Sequence, residues 1–103
     1  MTSKPYTIKP SGHFNASQSA DFRAQIEEAI ASEASMVLFD CQEVLGIDSS
    51  GLGELILAFK SLRAAGARFI LCSINEQIET LLSLTDMTQV FEVYKDRSFL
   101  ADV

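Results

Sequence analysis

Hydrophobic and polar positions follow two different periods along this chain, and the switches between them outline its elements. Met36-Val37-Leu38-Phe39 and Phe69-Ile70-Leu71-Cys72 are short continuous apolar runs. Runs of this length predict strands buried on both faces. Tyr6 to Lys9 reads as a short strand closed by Pro10 and Gly12, and Val90-Phe91-Glu92-Val93-Tyr94 alternates like a strand near a sheet edge. Between these runs, apolar residues recur at helical spacing. Phe22, Ile26, Ala29 and Ile30 mark one face of a helix reaching to about Glu33, with Ser17 and Ser19 as candidate N-caps. Leu52, Leu55, Ile56, Phe59 and Leu62 mark a second helix to about Ala65, with Gly66 at its C-terminal cap. Asn75 is placed to cap a third helix, whose apolar face is Ile78, Leu81 and Leu82 and which ends near Thr85 or Asp86. Asp96 is placed to cap a short terminal helix through Phe99 and Leu100.

The predicted order is β-α-β-α-β-α-β-α. Helices between consecutive buried strands call for a largely parallel sheet, so the pattern predicts one small α/β domain over residues 1–103 with about four strands. Binding sites in such sheets gather where strand-to-helix loops emerge from the carboxyl ends of strands. Asp48-Ser49-Ser50-Gly51-Leu52-Gly53 is such a loop.

Every residue of that loop has a plausible structural use. Ser50 is a good N-cap, Asp48 favours the positive end of the helix dipole, and Gly51 and Gly53 permit tight turns or close approach of helix to sheet. One serine suffices for a cap, however, and two are present. Ser49 is then free at the loop tip, where a phosphoryl group would add about −1.5 to −2 charges. A helix N-terminus tolerates phosphate. The fold should survive the modification, and a docking partner should feel it.

Enzyme readings of the same residues fail on spacing. A nucleophile elbow needs G-x-S-x-G, but Ile47 and Asp48 stand two residues before Ser49 and Ser50. Gly46 and Gly51 have the spacing of a P-loop, yet Leu52 and Gly53 occupy the places of its Lys and Ser/Thr. His13 is the sole histidine, and Cys41 and Cys72 lack CxxC spacing, so no zinc set assembles and no cofactor is expected. The cysteines read as reduced core residues of a cytoplasmic protein.

Composition narrows the partners. Hydrophobic residues make up 48% of the 103, enough for one core without disulfides or metal. The formal net charge is −6 and the eight basic residues are scattered, which argues against nucleic acid. Met1 to Lys9 has no apolar signal core, and no run approaches the ~20 residues of a membrane span.

From about Gly12 to Val103 the chain resembles a STAS domain, specifically a stand-alone anti-sigma factor antagonist. Asp48-Ser49-Ser50-Gly51-Leu52-Gly53 resembles that family's phosphorylation motif. Support comes from the strand Val37-Leu38-Phe39-Asp40, from Gly66 to Cys72, from Leu81 to Phe91, and from Gly12-His13-Phe14-Asn15 at the turn into the first helix. The resemblance implies a partner switch that is not an enzyme. The unphosphorylated protein binds an anti-sigma factor that is also a serine kinase. The kinase phosphorylates the first serine, here Ser49, with Ser50 as runner-up. A phosphatase of the PP2C type reverses the change. On this resemblance Asp48 shapes the site, Gly51 gives clearance to the kinase, Leu52 and Leu55 belong to the core, and Glu54 and Lys60 are exposed positions open to a partner. Two departures stand out. A first strand common in the family is missing, which leaves an open sheet edge that could support a homodimer. Gly46 replaces a bulkier residue, which implies a more mobile loop. Two rival readings remain for such a domain: a subunit of a lipid or solute transport complex, and a nucleotide-sensing domain.

Overall fold

In the computed structural model, residues 5–96 and 98 are described. Six strands and three helices follow one another as β1 (Tyr6–Ile8), β2 (Ser11–Phe14), α1 (Ser19–Ala31), β3 (Met36–Asp40), β4 (Glu43–Ile47), α2 (Ser49–Ala64), β5 (Arg68–Cys72), α3 (Glu76–Leu84) and β6 (Glu92–Tyr94). A four-stranded sheet runs in the order β1-β3-β5-β6, with every neighbouring pair parallel. This is the small, parallel α/β architecture that the alternation of periods predicts.

The apolar runs behave as expected. In β3, Val37 and Phe39 face one side and Leu38 the other, and all three are inaccessible to solvent. In β5, Phe69 and Leu71 join the side of Val37 and Phe39, while Ile70 and Cys72 join Leu38. Both faces of the central strands are therefore covered, which is why their sequence runs apolar without alternation. The larger core collects the inward faces of all three helices: Phe22, Ile26 and Ala29 from α1, Leu52, Leu55, Ala58 and Leu62 from α2, and Ile78 and Leu82 from α3.

Two strands were not foreseen. β2 and β4 pair in parallel as a separate two-stranded ribbon, with a register shift between Gly12 and His13. Gly12, read as a turn, is thus strand, and so is the Glu43–Ile47 segment before the serine turn. The reason is visible in β4. Leu45 points to solvent and Gly46 is buried, which inverts the usual polarity of alternation. Gly46 accordingly does not sit in a mobile loop. A Cβ there would meet the side chain of Gln77 at 3.3 Å.

Helix ends also needed the structure. Asn15 caps a 3₁₀ turn at Ala16–Gln18, where its side chain accepts from the Ser17 amide, and α1 then begins without a side-chain cap. Neither Ser17 nor Ser19 has the expected capping role. At the other end, α1 stops at Ala31, and Glu33 takes a left-handed φ of 58° while Ala34 N–H bonds to the Ala29 carbonyl. α2 closes in the same way on Gly66, at φ 81°, with Ala67 N–H donating to the Leu62 carbonyl at 2.8 Å. Asn75 caps α3 as predicted, accepting from the Ile78 amide at 2.8 Å, and also donates to the Val44 carbonyl at 3.0 Å. It thereby ties α3 to β4. The predicted terminal helix through Phe99 and Leu100 lies outside the described residues.

Candidate functional site

The serine turn leaves the carboxyl end of β4, so the two-stranded ribbon, and not the main sheet, sets its position. Phe14, the last residue of β2, is the register partner of Ile47, the last residue of β4. The Phe14 ring is buried edge-on against Phe22 and Phe39, with centroids 5.1 and 5.0 Å away. That aromatic cluster fixes the backbone of residue 14. Its carbonyl accepts a long hydrogen bond, 3.4 Å, from the Asp48 amide.

Asp48 is the N-cap of α2. Its backbone is extended, and its Oδ1 accepts from the Gly51 amide at 2.8 Å. The expectation that Ser50 caps this helix is corrected. A cap must stand one residue outside the helix with extended backbone, and Asp48 holds that place. Ser49 and Ser50 are the first two helical residues, and both are exposed. Among the described residues, neither hydroxyl takes part in a side-chain hydrogen bond.

Gly51 is buried where α2 crosses β2. A Cβ on it would lie 2.2 Å from the Phe14 carbonyl oxygen, so glycine here gives clearance to the protein's own backbone. Gly53 differs, since a Cβ there would meet nothing within 4 Å. Leu52 and Leu55 enter the core as expected.

Glu54 is not the exposed contact that its charge suggests. It is buried between α1 and α2, and its carboxylate holds the Arg23 guanidinium through two bonds, at 2.9 and 2.6 Å. The hydrogen bonds and charge of Arg23 keep the Glu54 carboxyl below its ordinary range, although burial acts in the opposite direction. Lys60 is exposed, as expected. The signal for the ion pair lies in a second helical row. Gly51, Glu54, Ala58 and Leu62 of α2 are all buried. Reading only the Leu52-Leu55-Phe59 row hid it.

Ser49, Ser50, Gly53 and Leu57 line one side of an open, shallow depression, and Ser19 and Arg23 of α1 line the other. Among the described residues no group of three or more His, Cys, Asp or Glu side chains could hold a metal ion. Cys41 and Cys72 form no disulfide and are buried, and burial pushes the Cys41 thiol well above its ordinary range. No described helix is long and apolar enough to cross a membrane.

A parallel α/β fold with a capped serine turn at the start of its second helix defines the class. The STAS domain model matches residues 2–99, and the chain belongs to that family. An anti-sigma-B factor antagonist from Listeria monocytogenes is 27% identical over 82 residues, with 80% of this chain and 72% of the relative aligned. The crystal structure of a candidate anti-sigma factor antagonist from Thermotoga maritima superposes with a TM-score of 0.84 at 26% identity, covering 93% of this chain and 83% of that one. The anti-sigma factor antagonist SpoIIAA, in its unphosphorylated form, shares the fold with a TM-score of 0.70 at 19% identity, over 99% and 89% of the two chains.

Proposed function

We propose that this chain, as one domain, is a phosphorylation-regulated partner switch of the anti-sigma factor antagonist kind. Unphosphorylated, it binds an anti-sigma factor that is also a serine kinase. Phosphorylated on Ser49, it lets go, and a phosphatase of the PP2C type restores it. In the forward step the Ser49 hydroxyl oxygen attacks the γ-phosphorus of the kinase's ATP. The bond to ADP breaks, ADP leaves, and the hydroxyl proton passes to a base on the kinase. The chain is the substrate and not the enzyme, and the cytoplasm is where such partners meet it.

The observation that carries this reading is the division of labour in the turn. Asp48 makes the cap and Gly51 makes the close contact, so neither exposed serine hydroxyl is needed by the fold. Phosphate on Ser49 would sit at the positive end of the α2 dipole, which favours it, beside the Asp48 charge, which opposes it. The two effects offset within the domain. The added charge and bulk then act on whatever is docked over the turn. Membership in the STAS family and the antagonist named among its relatives support the same partner class.

The test is binding of the anti-sigma factor kinase encoded by the same organism to purified Ser49→Ala and Ser49→Asp chains. Ser49→Ala should bind constitutively and resist phosphorylation, and Ser49→Asp should bind at least about tenfold more weakly. Identical behaviour of the two variants would overturn the proposal.

A further inference from the structure

Two glycines stand two residues apart in the serine turn, and only one has a structural reason. Gly51 is enforced by the Phe14 carbonyl. Gly53 lies within α2, where a Cβ would meet no atom within 4 Å and the backbone is ordinarily helical. Glycine inside a helix weakens it relative to alanine, because it leaves more backbone freedom to lose on folding. The fold thus carries a cost at Gly53 without any return inside the molecule.

Its neighbours indicate where the return lies. Ser49, Gly53 and Leu57 are spaced i, i+4 and i+8, so they form one row along the helix surface. Leu57, about two turns beyond the candidate phosphorylation site, is a large apolar side chain left 52% exposed. Between Ser49 and Leu57 the one charged side chain of the helix, Glu54, is paired with Arg23 of α1. The surface beside Ser49 therefore offers a bare stretch of helix followed by an apolar side chain, with no free charge between them.

We infer that Gly53 and Leu57 determine which kinase can use Ser49. The kinase's main chain passes over the clearing at Gly53, and an apolar pocket on the kinase takes Leu57. A Cβ at residue 53 holds that main chain away from the acceptor oxygen, and phosphoryl transfer tolerates little misplacement of the reacting atoms. This inference rests on the reading of Ser49 as the phosphoryl acceptor, and it names the contacts that would give that reaction its specificity.

The experiment replaces the chromosomal copy, in the native cells, with Gly53→Ala, Leu57→Gln or Leu84→Gln. Leu84 on α3 serves as the control, being still more exposed at 80% but on another helix. Mass spectrometry follows the rate at which the Ser49 phosphopeptide appears after a stress, and thermal unfolding of each purified chain reports the fold. Gly53→Ala should unfold at a temperature no lower than the unaltered chain, yet both Gly53→Ala and Leu57→Gln should slow Ser49 phosphorylation by at least about tenfold. Leu84→Gln should leave the rate unchanged. Phosphorylation of Gly53→Ala and Leu57→Gln at the unaltered rate overturns the inference while leaving Ser49 as the acceptor. An equal loss in Leu84→Gln also overturns it, since the effect would not be local. A Ser49 peptide that stays unmodified in the unaltered chain removes the phosphorylation reading and this inference with it.

Discussion

The α-carbon of Gly51 packs against the main-chain carbonyl of Phe14 so closely that a methyl group there would come within 2.2 Å of the oxygen. This contact joins the start of α2 to the end of β2. It links the serine turn to the aromatic cluster of Phe14, Phe22 and Phe39, and so to the centre of the core. Gly51→Ala must push backbone from backbone, and neither side is a flexible side chain that can yield. Overpacking of this kind costs about 1–3 kcal/mol or more. A urea titration should show the Gly51→Ala midpoint well below that of the unaltered chain. An unchanged midpoint would mean that the ribbon and helix can part without cost.

Asp48 and Ser50 divide differently from what their side chains suggest. Asp48→Ala removes the acceptor for the Gly51 amide and should cost about 1 kcal/mol, the usual value of an N-cap. Ser50→Ala touches only an exposed hydroxyl and should stay within about 0.5 kcal/mol of the unaltered chain. Paired denaturation curves separate the two. The opposite order would return the cap to Ser50.

The Arg23–Glu54 pair should leave a signature in the pH dependence of stability. The folded-state pKa of Glu54 is depressed, chiefly by its hydrogen bonds to Arg23. Its contribution is therefore complete above the unfolded glutamate value of about 4.3 and is lost as pH falls through the lower folded value. Glu54→Gln should be less stable than the unaltered chain at pH 7, and that gap should narrow as pH drops below about 4. Thermal unfolding across pH 3 to 7, on an order-of-magnitude grid of about one unit, reads this directly. A constant gap would mean that the ion pair adds nothing beyond packing.

Glu33 closes α1 in a left-handed conformation, at φ 58°, where Gly66 does the same for α2. A side chain in that region costs roughly 1–2 kcal/mol, and glycine avoids it. Glu33 is exposed, so its side chain is not needed for packing. Glu33→Gly should raise stability by up to about 1 kcal/mol, seen as a higher unfolding temperature.

Neither cysteine should behave as a reactive thiol. Cys41 and Cys72 are almost wholly buried, and burial raises the Cys41 thiol far above neutrality. A thiol reagent at neutral pH should register no fast-reacting group in the folded protein and both groups after denaturation. Rapid labelling of the native chain would mean that the central strands open readily.

The sequence alone determined the elements whose stability is local or two-sided. The apolar runs of β3 and β5 could only be covered strands, and the helical rows on α1, α2 and α3 each named a core face. The Asn75 and Gly66 caps followed from residues whose side-chain or backbone chemistry suits them to helix ends. The motif at Asp48 to Gly53 was legible for the same reason, since its serines and glycines are read in order along the chain. What only the tertiary structure decided concerns partners distant in sequence. β2 and β4 are each too weak to show as strands, with an exposed Leu45, a buried Gly46 and a left-handed Gly12, and they exist because they pair with each other. Glu54 reads as a surface charge until α1 brings Arg23 against it. Gly51 and Gly53 are the same residue in the same helix. One is fixed by the Phe14 carbonyl and the other faces open space, because β2 crosses α2 at the first and not at the second.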